Sequence, residues 1–206
     1  MKLTASPPGP IRTSRAEVYA SLLPKMNDRD VRFRKTCTIA LGLVLIAGAR
    51  AQTTDEYMVK AAFLYNFAKF VEWPPHSFKS ASDPIVIGVL GKNSFGDALT
   101  SVISGKTFEG RPFRVREVAD APQAAGCQIL FISSSERKQL ETLLRQIGNP
   151  GVLTVGETDN FTSDGGIVNF KIENGSVRLQ INVAAARRQQ LHISAKLLSL
   201  AEIVEK

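Results

Sequence analysis

The 206 residues carry a formal charge of +7 at pH 7, but the excess is not spread evenly. Residues 1–51 hold nine Lys/Arg against three Asp/Glu, and residues 52–206 hold seventeen against sixteen. A nucleic-acid-binding domain concentrates its basic residues on the folded surface, so this distribution argues against nucleic acid as a partner.

The basic leader has the order of a secretory signal. Arg32, Arg34 and Lys35 precede an apolar stretch, Thr36–Ala49, which ends in the small-x-small sequence Ala49-Arg50-Ala51. The stretch is shorter than the roughly 20 residues of a membrane-spanning helix. Cleavage after Ala51 is the expectation, with an N-terminal membrane anchor as the alternative. Residues 1–25 are interrupted by proline and show no domain pattern, and Met26 would be a more economical start. Residues 52–206 then form one α/β domain. Cys37 falls in the leader, so Cys127 remains as a single thiol and no internal disulfide can form. Its setting, "CQILFI", is an apolar strand run in which cysteine serves as a small buried hydrophobe.

The first predicted element of the domain is a helix. Thr53 and Glu56 fit a capping box, and Trp73-Pro74-Pro75 stops the pattern. Val59, Phe70, Phe63, Phe67, Val71, Leu64, Tyr57, Ala68 and Ala61 cover about 200° of the wheel, twice the stripe an ordinary surface helix needs. Only Lys60 interrupts that arc. Such a helix must be covered from two directions, by its own domain or by a second chain. Lys60, Phe67 and Val71 are the candidates for a partner or dimer surface, with Phe63 and Phe70 turned to the core.

Beyond the prolines, short apolar runs alternate with helical patterns. "IVIGVL" (85–90) is a buried strand, Phe95–Ile103 a short helix, and "FRVREV" (113–118) a strand with one wet face after a Gly110-Arg111-Pro112 turn. "CQILFI" (127–132) is a second buried strand, followed by a helix over Glu136–Ile147 and a short strand "VLTV" (152–155). "GIVNFKI" and "VRLQINV" flank Glu173-Asn174-Gly175-Ser176, whose Asn-Gly pair is a hairpin signal. Ala184–Val204 is helical with a break near His192. This order predicts a mixed, mostly parallel sheet flanked by helices, with an antiparallel hairpin toward the C-terminal side.

Catalytic and metal constellations are not legible. His76 and His192 stand apart from each other and from any cysteine at ligand spacing, so neither a metal nor another cofactor is expected. No nucleophile elbow, phosphate loop or dinucleotide fingerprint occurs. One weaker arrangement remains. Three strands end in polar turns, Gly91-Lys92-Asn93-Ser94, Ser133-Ser134-Ser135 and Gly156-Glu157-Thr158, with Lys92, Asn93, Ser94, Ser133, Ser134 and Gly156 the candidate ligand positions. If the strands are parallel, these ends share the edge at which open α/β sheets bind ligands. The competing reading makes the serines helix caps, Ser133 with Glu136 among them.

Five segments together resemble one family. "YMVKAAFLYNFAKFVEWP", "IVIGVLG", "GCQILFISSSE", "VLTVGE…F…GGIVNF" and "VRLQINVAAAR…L.ISAKLLSLAEIV" occur in the order seen in the YfiR-like family of exported bacterial proteins, from about Glu56 to Val204. The resemblance implies a periplasmic, non-enzymatic repressor. It would bind an inner-membrane diguanylate cyclase or sensor protein, hold cyclic-di-GMP output down, be released by an outer-membrane lipoprotein, and form a homodimer. A periplasmic small-molecule-binding module is the alternative. Repressors of this family carry disulfides, and a chain with Cys127 alone departs from them there. Mass spectrometry of the periplasmic fraction should find a mature N-terminus at Gln52. Recovery of only full-length protein from membranes would instead establish the anchor.

Overall fold

The computed structural model describes residues 48–148 and 150–205. Cys37, Met26, the basic cluster at Arg32, Arg34 and Lys35 and most of the apolar stretch lie outside the described residues.

An eight-stranded sheet organises the domain. Its strands are β2 (Ile85–Leu90), β3 (Thr107–Phe108), β4 (Arg111–Val118), β5 (Ile129–Ile132), β6 (Leu153–Gly156), β7 (Val168–Glu173), β8 (Ser176–Asn182) and β10 (Ala201–Val204). They lie in the order β10-β8-β7-β6-β5-β2-β4-β3. The pairs β2–β4, β2–β5, β5–β6, β6–β7 and β8–β10 are parallel, while β7–β8 and β3–β4 are antiparallel. This is the expected mixed, mostly parallel sheet. Asn174 and Gly175, both at positive φ (51° and 71°), turn the β7–β8 hairpin as the Asn-Gly pair predicts.

Alternation along the central strands feeds two cores, which is why those strands read as continuous apolar runs. Ile129 and Phe131 of β5 face one side, and Leu130 and Ile132 face the other. The first side is covered by α1 (Gly48–Phe67), α2 (Ala98–Ile103), α4 (Val183–Arg188) and α5 (Ala195–Leu198). The second is covered by α3 (Leu140–Gln146), the short 3-10 helix Pro122–Ala124 and the segment around Phe161. Cys127 is buried in this second core beside Gly88. Burial pushes its thiol pKa up, against a hydrogen bond from Arg116.

Three elements differ from their sequence patterns. The α1 backbone is helical from Gly48, so Thr53 is interior rather than a cap, and cleavage after Ala51 would remove only the first turn. At its other end α1 stops at Phe67, short of Trp73. The last turn tightens, with the amides of Lys69 and Phe70 donating to the carbonyls of Asn66 and Phe67 at 2.9 and 3.0 Å. The next residues form β1 (Val71–Glu72), paired antiparallel with β9 (His192–Ile193). Long-range pairing of that backbone outweighs the local helical pattern. The C-terminal tail is likewise not helical to its end. Its last residues become β10, laid parallel on β8, which they could not have signalled locally. Lesser shifts affect Arg111 and Pro112, which belong to β4 rather than to a turn, and residues 134–139, which form a 3-10 helix ahead of α3.

The apolar arc of α1 is buried by its own domain. Phe63 and Phe67 stack with Phe170 of β7 at centroid separations of 6.0 and 6.2 Å, and Phe131 extends the cluster at 6.5 Å from Phe170. Phe67 is 0% exposed and Val71 is buried beside it, so neither offers surface to another chain. The expected partner surface at Phe67 and Val71 is corrected on this ground: the sheet covers this helix from one side and α2 packs beside it. Phe67→Ala should lower stability by about 3–5 kcal/mol, the range for truncating a core phenylalanine, without changing oligomeric mass. Half-buried Phe70, with the Lys196 ammonium 5.5 Å above its ring, should lose less when truncated. Calorimetry with light scattering checks both. A change in mass for Phe67→Ala at an unchanged melting temperature would return that side chain to an interface.

Candidate functional site

The carboxyl ends of β2, β5 and β6 do meet at one edge, because these strands are parallel neighbours. Above that edge runs the N-terminal half of α1. Helical spacing puts Glu56 and Lys60 one turn apart, with Tyr57 beside them. Glu157 follows the last residue of β6, and Ser134 opens the 3-10 helix after β5.

These residues converge on one buried ion pair. The Lys60 ammonium lies 2.7 Å from Oε2 of Glu157 and 2.5 Å from Oε1 of Glu56. The Lys60 and Glu157 side chains are 3% and 5% exposed. Oε1 of Glu157 accepts from the amide and hydroxyl of Ser134 at 3.2 and 3.0 Å, and the Tyr57 hydroxyl donates to the same carboxylate at 3.1–3.2 Å. The ammonium also sits 4.5 Å over the Tyr57 ring.

Burial alone would push both groups toward neutrality, yet the pair prevails. Burial acts to lower the Lys60 pKa, but the hydrogen bonds of Glu157 and Glu56 outweigh it and hold the ammonium above the ordinary lysine range. For Glu157 burial acts upward, and Lys60 and Ser134 outweigh it, so the carboxyl titrates below its ordinary value. Burial raises the Tyr57 phenol, helped by the Glu157 charge and opposed by Ser94 and Lys60.

The ligand-edge residues expected from sequence are close together but engaged within the chain. The Lys92 amide donates to Ser135 Oγ at 3.0 Å, Asn93 Oδ1 accepts from the Phe95 amide at 3.1 Å, and Ser94 acts to lower the Tyr57 pKa. Ser133 is buried and caps the following turn, as the capping alternative held, and Ser134 is bound to Glu157. Gly156 is a packing position. A Cβ there, or at Gly166, would run into the ring of Phe161, so Gly156 offers no backbone to a ligand. Lys60, expected at an interface rim, is interior because its charge is spent on Glu157 and Glu56.

Open space lies one strand further along. A hollow of about 540 Å³ sits between the Glu157–Asp159 turn, the start of α1 and the end of β7. Glu157 and Thr158 belong to the third polar turn that the sequence marks, whereas Asn169 and Tyr57 are not site candidates there. A signal for Glu157 was available: it is the charge that follows an apolar strand, and Lys60 is the charge that interrupts an apolar arc. Asn169 carried none, since its position depends on the β6–β7 register.

The profile of a family described as YfiR/HmsC-like matches residues 57–202, which include Tyr57, Lys60, Ser134 and Glu157. Among solved structures, a conserved domain protein from Vibrio cholerae O1 biovar El Tor str. N16961 is similar at 12% identity and a TM-score of 0.48. The match covers 73% of this chain and 60% of that one, so the chain spans less than two thirds of that protein's length. No curated protein matches the chain.

The ion pair makes a sharp stability prediction. Lys60→Met leaves a buried carboxylate unpaired and should lose about 3–5 kcal/mol, whereas Lys60→Met with Glu157→Leu should lose much less. The depressed Glu157 pKa gives stabilisation that is complete above about 4.3, the unfolded glutamate value, and lost as pH falls through the folded value. The raised Lys60 pKa gives stabilisation complete below about 10.4 and lost as pH rises through its folded value. Urea unfolding from pH 2 to 7 should therefore show a shallower acid decline in the double variant. Additive losses in the two single variants would mean the charges do not interact.

Proposed function

We propose, since the chain belongs to the YfiR/HmsC-like family, that it restrains cyclic-di-GMP signalling by binding a membrane signalling protein. The family is regulatory, non-catalytic and periplasmic, and its match over residues 57–202 is the observation that carries this reading. The finer reading names the target as the periplasmic region of an inner-membrane diguanylate cyclase or sensor protein. A homodimer would act after removal of residues 1–51, with an outer-membrane lipoprotein as the releasing partner. Lys60, Glu157, Tyr57 and Ser134 satisfy one another within the chain. No described helix is long and apolar enough to cross a membrane.

Crosslinking in intact envelopes, followed by mass spectrometry, should recover a membrane diguanylate cyclase or sensor kinase with this protein. Deleting its gene should raise cellular cyclic-di-GMP several-fold, and restoring it in the periplasm should reverse the rise. Unchanged cyclic-di-GMP together with no membrane partner would end this reading.

A further inference from the structure

One edge of the sheet is left open beside a groove. Strand β4 pairs with β3 only through Thr107 and Phe108, opposite Pro112 and Arg111. Beyond Pro112 its outer side has no strand among the described residues, while β2 pairs its inner side from Phe113 to Val118. The hairpin fixes which backbone groups stay open. Glu109 and Gly110 both take positive φ in the two-residue turn, which makes Phe108 and Arg111 the pair that exchanges hydrogen bonds. Orientation alternates along a strand, so residues 113, 115 and 117 also turn their amides and carbonyls outward. An unpaired row of this kind is a template for one more strand.

The two faces of that row differ. On the α2 side lies a groove of about 410 Å³, with Ile103, Pro112, Phe113 and Val115 in its walls. Lys106 and Arg114 line it as well, and among the described residues no acid does. The Lys106 ammonium lies 4.6 Å over the Tyr65 ring, as does that of Lys69. On the opposite face Arg114 and Arg116 are exposed. Arg116 donates to the carbonyls of Gln123 and Ala125 and to Cys127 Sγ, which leaves its charge without a carboxylate. Glu117, at the far end, is the one acid of the strand.

Charge selects the occupant. A second copy, joined by a two-fold axis that continues the sheet, would set Arg114 opposite Arg116 or an arginine opposite itself, and like charges so placed repel. The leader is basic too, with nine Lys/Arg against three Asp/Glu in residues 1–51. An acidic strand meets neither objection. Alternation then fixes its pattern: carboxylates beside Arg114 and Arg116 on one face, apolar side chains beside Phe113 and Val115 on the groove face.

We propose that the outer edge of β4 docks an extended segment of a partner protein in which acidic and apolar residues alternate, added to the sheet as a further strand. The site goes beyond the regulatory reading, because it rests on an open edge and its charges rather than on family.

Titration of the mature protein with the peptide acetyl-Thr-Glu-Val-Glu-Val-Glu-Thr-amide, by calorimetry and by NMR-detected amide exchange, tests it. Saturable binding is expected, with new protection at the amides of Val115 and Glu117. Methylating the valine and central glutamate nitrogens of the peptide should abolish binding, as should replacing its glutamates with lysine. Arg114→Glu alters an exposed side chain, so the protein should fold unchanged. Its affinity for the acidic peptide should fall by about tenfold, as for an attractive cross-strand pair turned repulsive. No saturable binding, equal binding of the methylated peptide, or undiminished affinity in folded Arg114→Glu protein would each overturn the proposal. Protection of Val115 and Glu117 in the free protein that grows with its concentration would give the edge to a second copy and overturn it likewise. Failure of the peptide to bind leaves the cyclic-di-GMP reading standing, since that reading is tested by its own membrane partner.

Discussion

A helix apolar around most of its circumference can lie on a sheet in several rotations of similar apolar burial. The Lys60 ammonium admits only one of them. Its charge, taken out of water, must meet a carboxylate, and Glu157 at the end of β6 is the buried acid within reach. A rotation that carried Lys60 away would leave the Glu157 carboxylate buried without its ammonium, at a cost of about 3–5 kcal/mol. With Lys60 placed, Phe63 and Phe67 fall on Phe170, and Tyr57 falls on Phe95 at 5.3 Å. One polar contact thus sets the register of the aromatic core.

The same contact links three elements distant in sequence. Glu157 receives Lys60 and Tyr57 from α1 and Ser134 from the turn after β5, so the carboxyl edge of the sheet is laced to the helix above it. Phe161 performs the matching task on the other face. Its ring fills the space left by Gly156 and Gly166, and it fixes the loop that carries Thr158. The hollow next to Thr158 exists because β6 ends while β7 continues, with both flanks held rigid by these contacts.

This arrangement separates two surfaces that a linear reading places together. The strand ends at β2 and β5 resemble a ligand edge, but their hydroxyls and amides hold one another. Thr158 Oγ1 and Asn169 Oδ1, buried without partners among the described residues, lie at the β6–β7 step, beside a wall whose carboxylates outnumber its ammonium groups.

The sequence by itself determined the class of fold. Apolar runs at residues 85–90 and 127–132 are strands buried on both faces, Asn174-Gly175 is a hairpin turn, and Cys127 is interior, all from local patterns of period and turn chemistry. Only tertiary structure decided where the first helix ends, because Val71 and Glu72 exchange a helical continuation for pairing with His192 and Ile193. It also decided that the C-terminal residues are a strand, since β10 takes its conformation from β8, and that Phe67 and Val71 lie within the domain. A wide apolar arc states how much surface must leave water, not which neighbour removes it. That neighbour is fixed by contacts about a hundred residues apart in the chain, such as Lys60 with Glu157 (|i−j| 97), and no local window contains them.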